Sequence, residues 1–241
     1  APLRTSYRIA DYRADAEPCG VEAGIYVQCG MEDPVEEARY VQGLADAAGD
    51  HFPIYIVGYA DMTTAEATES LSQFAKIPNA RGVRFSVAWD DDPAATFTAA
   101  PVSLRGENLV SNFQLLGELG FAFDCMLYPA QMHELAELCE RHPSTAVVVN
   151  HTGLPLELHD PGLARWRAGM RRLAELPQVS VKISGLGMVR RDWTEAGAPW
   201  AEAVIRETIE TFGTDRCMFA SNYPVERLAS SYAGGYAVYR K

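Results

Sequence analysis

Several of the residues best equipped for chemistry in this 241-residue sequence share one setting, the ends and alternate positions of short apolar runs. His151 follows Ala146-Val147-Val148-Val149-Asn150, and Gly153 and Pro155 then stop the run. Arg84 and Ser86 alternate with Val83 and Phe85, Asp124 and Met126 with Phe123 and Cys125, and Lys182 and Ser184 with Val181 and Ile183. Asn222 closes Cys217-Met218-Phe219-Ala220-Ser221. Successive side chains of a strand point to opposite faces, so the apolar set faces one layer and the polar set the other. One buried histidine is most simply satisfied by a backbone carbonyl. Burying Arg84, Lys182 and Asp124 as well costs several kcal/mol each unless they pair or line a ligand cavity. Polar groups on the inner side of several strands favour the cavity.

The elements that position these groups alternate along the chain. Strands are expected at Gly24–Cys29, Ile54–Asp61, Gly82–Val87, Phe121–Leu127, around Val147–Val149, at Val179–Ser184 and at Cys217–Asn222. Helices are expected at 8–16, 33–49, 64–76, 108–119, 130–141, from Asp160-Pro161 to about Leu176, and at 198–212. Asp33 is the expected N-cap of the second, with Pro34 in its first turn. The polar stretch 88–107 is long enough for a rim or lid. Strand–helix alternation implies parallel pairing with right-handed crossovers. The turn Gln28-Cys29-Gly30-Met31-Glu32 lacks the glycine spacing of a dinucleotide-binding fold, which leaves an α/β barrel in one domain spanning 1–241. Seven strands are one short of closure, so the missing one is expected before residue 20 or after 241.

Composition narrows the partners. A net charge of −11 makes nucleic acid and anionic membrane poor partners. An apolar fraction of 48% supports a large core. No stretch reads as a signal peptide or membrane span, and cytoplasmic residence is expected. The five cysteines form no CxxC pair; Cys29, Cys125 and Cys217 read as buried thiols. Ser184 and Ser221 lack the Gly-x-Ser-x-Gly turn of a serine hydrolase. His133 and His142 read as structural, and His51 and His159 fall in loops.

Gly82-Val83-Arg84, Phe123-Asp124, Val149-Asn150-His151-Thr152-Gly153-Leu154-Pro155, Trp166-Arg167 with Leu173-Ala174, Val181-Lys182-Ile183-Ser184-Gly185-Leu186 and Met218-Phe219-Ala220-Ser221-Asn222-Tyr223-Pro224-Val225 occur in this order. Together they resemble the amidohydrolase-related (amidohydrolase 2) branch of the metal-dependent hydrolases, which includes lactonases acting on sugar lactones and on pyrone dicarboxylate. The resemblance implies a (β/α)8 TIM barrel whose first strand, with its usual His-x-His pair, is absent here. It implies opening of the lactone of a small anionic or polyhydroxylated substrate. His151 would polarise the carbonyl or orient water, and Asn222, standing where many relatives carry Asp, would hydrogen-bond that water. Arg84 and Lys182 would hold substrate oxygens; Asp124, Tyr26, Gln28 and Tyr128 would complete the pocket. A carboxamide is a poor metal ligand, and a stable site needs about three or four protein ligands. The chain itself is therefore expected to hold no metal, and a full-length protein either binds zinc or works without it. Two other functions fit the resemblance: a metal-dependent decarboxylase on the same barrel, and a binding barrel that has lost catalysis.

Overall fold

Runs of valine, isoleucine and phenylalanine build a parallel sheet in a computed structural model that describes residues 3, 5–49, 52–93, 95–155 and 162–241. The strands are β1 (Ile25–Val27), β2 (Tyr55–Tyr59), β3 (Ala80–Ser86), β4 (Ala122–Met126), β5 (Val147–Val149), β6 (Val179–Ile183) and β7 (Cys217–Phe219). They form one seven-stranded sheet in sequential order, and every neighbouring pair is parallel. This is the (β/α)8 barrel architecture with seven strands in place. Among the described residues β1 and β7 each pair with one neighbour only. His51, His159 and the Asp160-Pro161 start expected for the sixth long helix lie outside the described residues.

Nine helices accompany the described strands: α1 (Ile9–Ala16), α2 (Pro34–Ala48), α3 (Ala67–Phe74), α4 (Glu107–Glu118), α5 (Met132–Arg141), α6 (Gly162–Ala174), α7 (Leu186–Val189), α8 (Ala198–Phe212) and α9 (Tyr232–Tyr239). Local chemistry sets their ends. The Asp33 carboxylate accepts from the Val35 and Glu36 amides, and Gly49 at φ +64° ends α2. Ser231 caps α9 through the Gly234 amide. No described helix is long and apolar enough to cross a membrane.

The core lies between sheet and helices. Val83, Phe85, Phe123, Cys125, Val147, Val149, Val181 and Ile183 are buried there, as strand parity requires. Burying one such aliphatic or aromatic side chain contributes about 1.5–3 kcal/mol. The edges are barer: Ile25 of β1 is 51% exposed and Phe219 of β7 45%. Beside them the two ends of the chain meet, with Tyr12 of α1 packed edge-on to Tyr232 of α9 at 5.8 Å.

Three expectations need correction. β1 and β7 are shorter than their apolar runs, three residues each. Asn222 is therefore in a turn beyond β7, at φ +53°. Cys29 is exposed, since β1 ends two residues before it; Cys125 is buried and Cys217 half-buried, and all five cysteines are free thiols.

Candidate active site

All seven strands are parallel, so their C-terminal ends open on the same side. His151 sits just past β5 in a short 3-10 turn, His151–Gly153. The backbone there is unusual: His151, Thr152 and Leu154 have φ of +53°, +55° and +43°. A non-glycine residue in the left-handed region costs about 1–3 kcal/mol and persists where the surroundings dictate it. Here the Asn150 amide donates to the Cys125 carbonyl at 2.9 Å. The Trp166 indole donates to the Thr152 carbonyl at 2.7 Å, and the Thr152 hydroxyl to the Ser184 carbonyl at 3.3 Å.

The imidazole itself is buried, with Nδ1 3.0 Å from the Ser184 hydroxyl. Gly185, at φ +64°, lies against it. A Cβ there would stand 2.6 Å from His151 Nδ1, so the ring occupies the space a side chain would need. Burial, and then the positive charges of Arg84 and Lys182, push the His151 pKa down to about 3. His151 is accordingly neutral at physiological pH.

Arg84 and Asp124 are register partners on β3 and β4, and their side chains share the inner face. Asp124 Oδ1 accepts from Lys182 Nζ at 2.6 Å and from Asn150 Nδ2 at 2.7 Å. The pair is buried, with side-chain exposures of 11% for Lys182 and 3% for Asp124. Arg84 donates through Nη2 to the Gln28 carbonyl at 2.8 Å and has no salt bridge among the described residues. Burial lowers its pKa, opposed by the Asp124 charge. Arg84 thus makes no ion pair among the described residues, and the Asp124 and Glu37 carboxylates act on it only at longer range.

The other expected residues are placed differently. Tyr26 turns toward α2, where its hydroxyl donates to Glu37 Oε1 at 2.5 Å; its register partner Ile56 faces the same helix layer. Gln28 contributes its backbone carbonyl to Arg84, because β1 has already ended. Tyr128 is buried beneath the 88–107 stretch, its hydroxyl donating to the Ala95 carbonyl. Gln131 holds the same stretch through the Trp89 carbonyl at 3.0 Å. Tyr128 with Ala88 and Leu154, packed by Met126 and Met188, gives this end of the barrel an apolar patch.

Asn222 has no hydrogen bond to His151, Arg84 or Lys182 among the described residues. Its Nδ2 instead donates to Glu226 Oε2 at 3.1 Å. Glu226 is buried, and its Oε1 accepts from the Gly187 amide at 2.8 Å. Burial raises its pKa, opposed by the N–H groups of Asn222, Gly187 and Trp193. Glu37 is a second buried carboxylate, accepting from the Cys29 amide at 2.5 Å and the Met31 amide at 3.0 Å besides Tyr26. Neither glutamate was anticipated. Both lie in helical segments, where sequence spacing reads as an ordinary solvated face.

The donor set does not fit a zinc ion. His151 is one ligand, but Asp124 is bound to Lys182, and the neighbouring groups are cations. No group of three histidine, cysteine, aspartate or glutamate side chains converges among the described residues.

Comparison with known proteins agrees with this architecture. The family model "Amidohydrolase" matches residues 8–240. The chain is 36% identical over 244 residues to the uncharacterized protein y4mH of Sinorhizobium fredii, covering 99% of this chain and 79% of that one. It is 29% identical to the L-fucono-1,5-lactonase of Burkholderia multivorans over 73% of this chain and 60% of the lactonase. An amidohydrolase crystal structure from B. multivorans with bound HEPES superposes with a TM-score of 0.83 at 24% identity, covering 99% of this chain and 82% of that one. A second crystal form of that protein has zinc bound. The family match spans nearly the whole chain and the superposition agrees with it in fold, so this chain belongs to the amidohydrolase family.

Proposed function

We propose that this protein opens the lactone ring of a small molecule bearing hydroxyl groups or a carboxylate. One observation carries the reading: half-buried Arg84 stands without a salt bridge among the described residues, beside a neutral His151 and an already compensated Lys182–Asp124 pair. That arrangement favours negative charge in the cavity, as a substrate carboxylate or as the oxyanion that forms when water adds to an ester carbonyl.

An imidazole with a pKa of about 3 resists protonation, so it suits polarising the carbonyl or orienting water better than storing a proton. Water adds to the carbonyl carbon, the ring C–O bond breaks, and the proton the water gives up passes to the ring oxygen, which leaves as the hydroxyl of the hydroxy acid. Arg84 and Lys182 hold the charge that passes through the carbonyl oxygen, and Asn222 hydrogen-bonds the water or a substrate hydroxyl. The lactonase name of a 29% identical relative supports the reaction class.

The test is ester opening across a panel of aldonolactones and dicarboxylate lactones. Loss of one electrostatic stabiliser costs about 10²–10³ in rate, so His151→Ala and Arg84→Ala are expected to lose at least that in kcat/KM. Unchanged turnover in His151→Ala overturns the mechanism.

A further inference from the structure

Glu226 and Asn222 hold each other in a way that has a consequence for the site. The Glu226 amide donates to the Asn222 carbonyl at 2.9 Å, closing a turn that keeps Asn222 at φ +53°. Asparagine tolerates that left-handed conformation better than most residues. The side chains then join in the other direction, Asn222 Nδ2 to Glu226 Oε2. The second carboxylate oxygen is committed to the Gly187 amide, and a Cβ on Gly187 would stand 2.2 Å from it. The carboxylate is therefore held at both oxygens, in a space that exists because residue 187 has no side chain.

An ionised carboxylate accepts hydrogen bonds and donates none, whereas a carboxamide has one accepting and one donating end. A carboxylate fixed at this distance can receive only the NH2 of Asn222. The amide oxygen Oδ1 is left without a partner among the described residues. We propose that Glu226 is a positioning residue that fixes the Asn222 carboxamide with its oxygen outward, so that Asn222 meets the substrate or the attacking water as an acceptor. The bonding partner at this point is an O–H: a ring hydroxyl of the lactone or one hydrogen of the water. Only the catalytic consequence rests on the lactonase reading; the orientation of the amide does not.

Glu226→Gln separates orientation from packing. Gly187 N–H can only donate, so the new amide must turn its oxygen there and its NH2 toward Asn222. Asn222 then flips and offers NH2 outward. Adding Asn222→Asp restores an acceptor, since a carboxylate accepts from the glutamine and keeps a second oxygen free. Asn222→Asp alone sets two carboxylates side by side.

The experiment measures kcat and KM on the lactone the native chain opens fastest, with thermal midpoints, and the solvent exchange of the Asn222 side-chain NH2 by NMR. Glu226→Gln is expected to lower kcat about 10- to 100-fold with an unchanged midpoint, and the double variant to recover most of that loss. Native Asn222 NH2 protons are expected to exchange at least about tenfold more slowly than those of Glu226→Gln, because a hydrogen-bonded donor is protected. Native kcat in Glu226→Gln, or a double variant no better than that single one, overturns the positioning role. If no lactone is opened, the lactonase reading fails, and the exchange rates still decide the orientation. If Glu226→Gln does not fold, fast exchange of the native NH2 protons overturns the proposal and protected ones uphold it.

Discussion

The inner wall of β3–β6 and the two edge strands secure their tips by different means. In the wall each strand has a neighbour on both sides, and polar side chains reach across it: Lys182 on β6 bonds Asp124 on β4, and Asn150 past β5 bonds the same oxygen. At β1 and β7 only one neighbour is present among the described residues. There a buried glutamate beyond the strand receives the tip instead, Glu37 for the turn after β1 and Glu226 for the turn after β7. Cross-strand pairing joins charged groups on the inner face of the sheet, whereas the glutamates accept from backbone and side-chain N–H groups and, in Glu37, from the Tyr26 hydroxyl. The wall thus carries the charged groups, and the edges carry directed hydrogen bonds.

The contrast can be broken most sharply at Lys182. Lys182→Met leaves Asp124 buried without its cation and is expected to cost about 3–5 kcal/mol in urea unfolding. Adding Asp124→Leu is expected to restore most of that stability, because an apolar pair replaces a buried ionic one at little net cost. A loss below about 1 kcal/mol for Lys182→Met, the value typical of exposed pairs, would mean that the wall is solvated.

His151 sharpens the comparison by pH. Its pKa falls from 6.5 in the unfolded chain to about 3 in the fold, so the unfolded state binds a proton that the native state refuses. The stability this neutral ring contributes is present above pH 6.5 and is lost as pH falls from there to about 3. His151→Gln is expected to flatten the stability profile across that window, measured as the difference from the native chain in urea midpoints. An unchanged slope would mean that His151 titrates as in water.

The smallest effect belongs to the bare edge. Ile25 is 51% exposed, and Ile25→Thr is expected to change stability by no more than about 0.5 kcal/mol. A thermal or urea loss several times larger would show that β1 is covered in solution.

The same division governs what could be read from sequence. The wall was legible because period-two alternation is a local property: Val181 and Ile183 out, Lys182 and Ser184 in, needs no knowledge of neighbours. The ladder order followed from strand–helix alternation. The edges were less legible because the chain does not announce which strands are edges or where their ladders stop. Tyr26 was expected in the pocket and turns to α2, since a three-residue strand sets its parity from β2. Glu37 and Glu226 gave no signal at all, because a glutamate in a helix looks the same whether it faces water or a strand tip. The late glycines held a usable hint: Gly185 and Gly187 flank Leu186 at the start of α7, and each marks space taken by a polar group from elsewhere.

Those two glycines have a consequence of their own. One hydrogen at position 185 makes room for the imidazole, and one at 187 makes room for the carboxylate that aims the carboxamide. A methyl group at either place would disturb a different half of the chemistry while adding no functional group. The start of α7 thus sets the clearance of both groups through two residues that contribute no side chain to either.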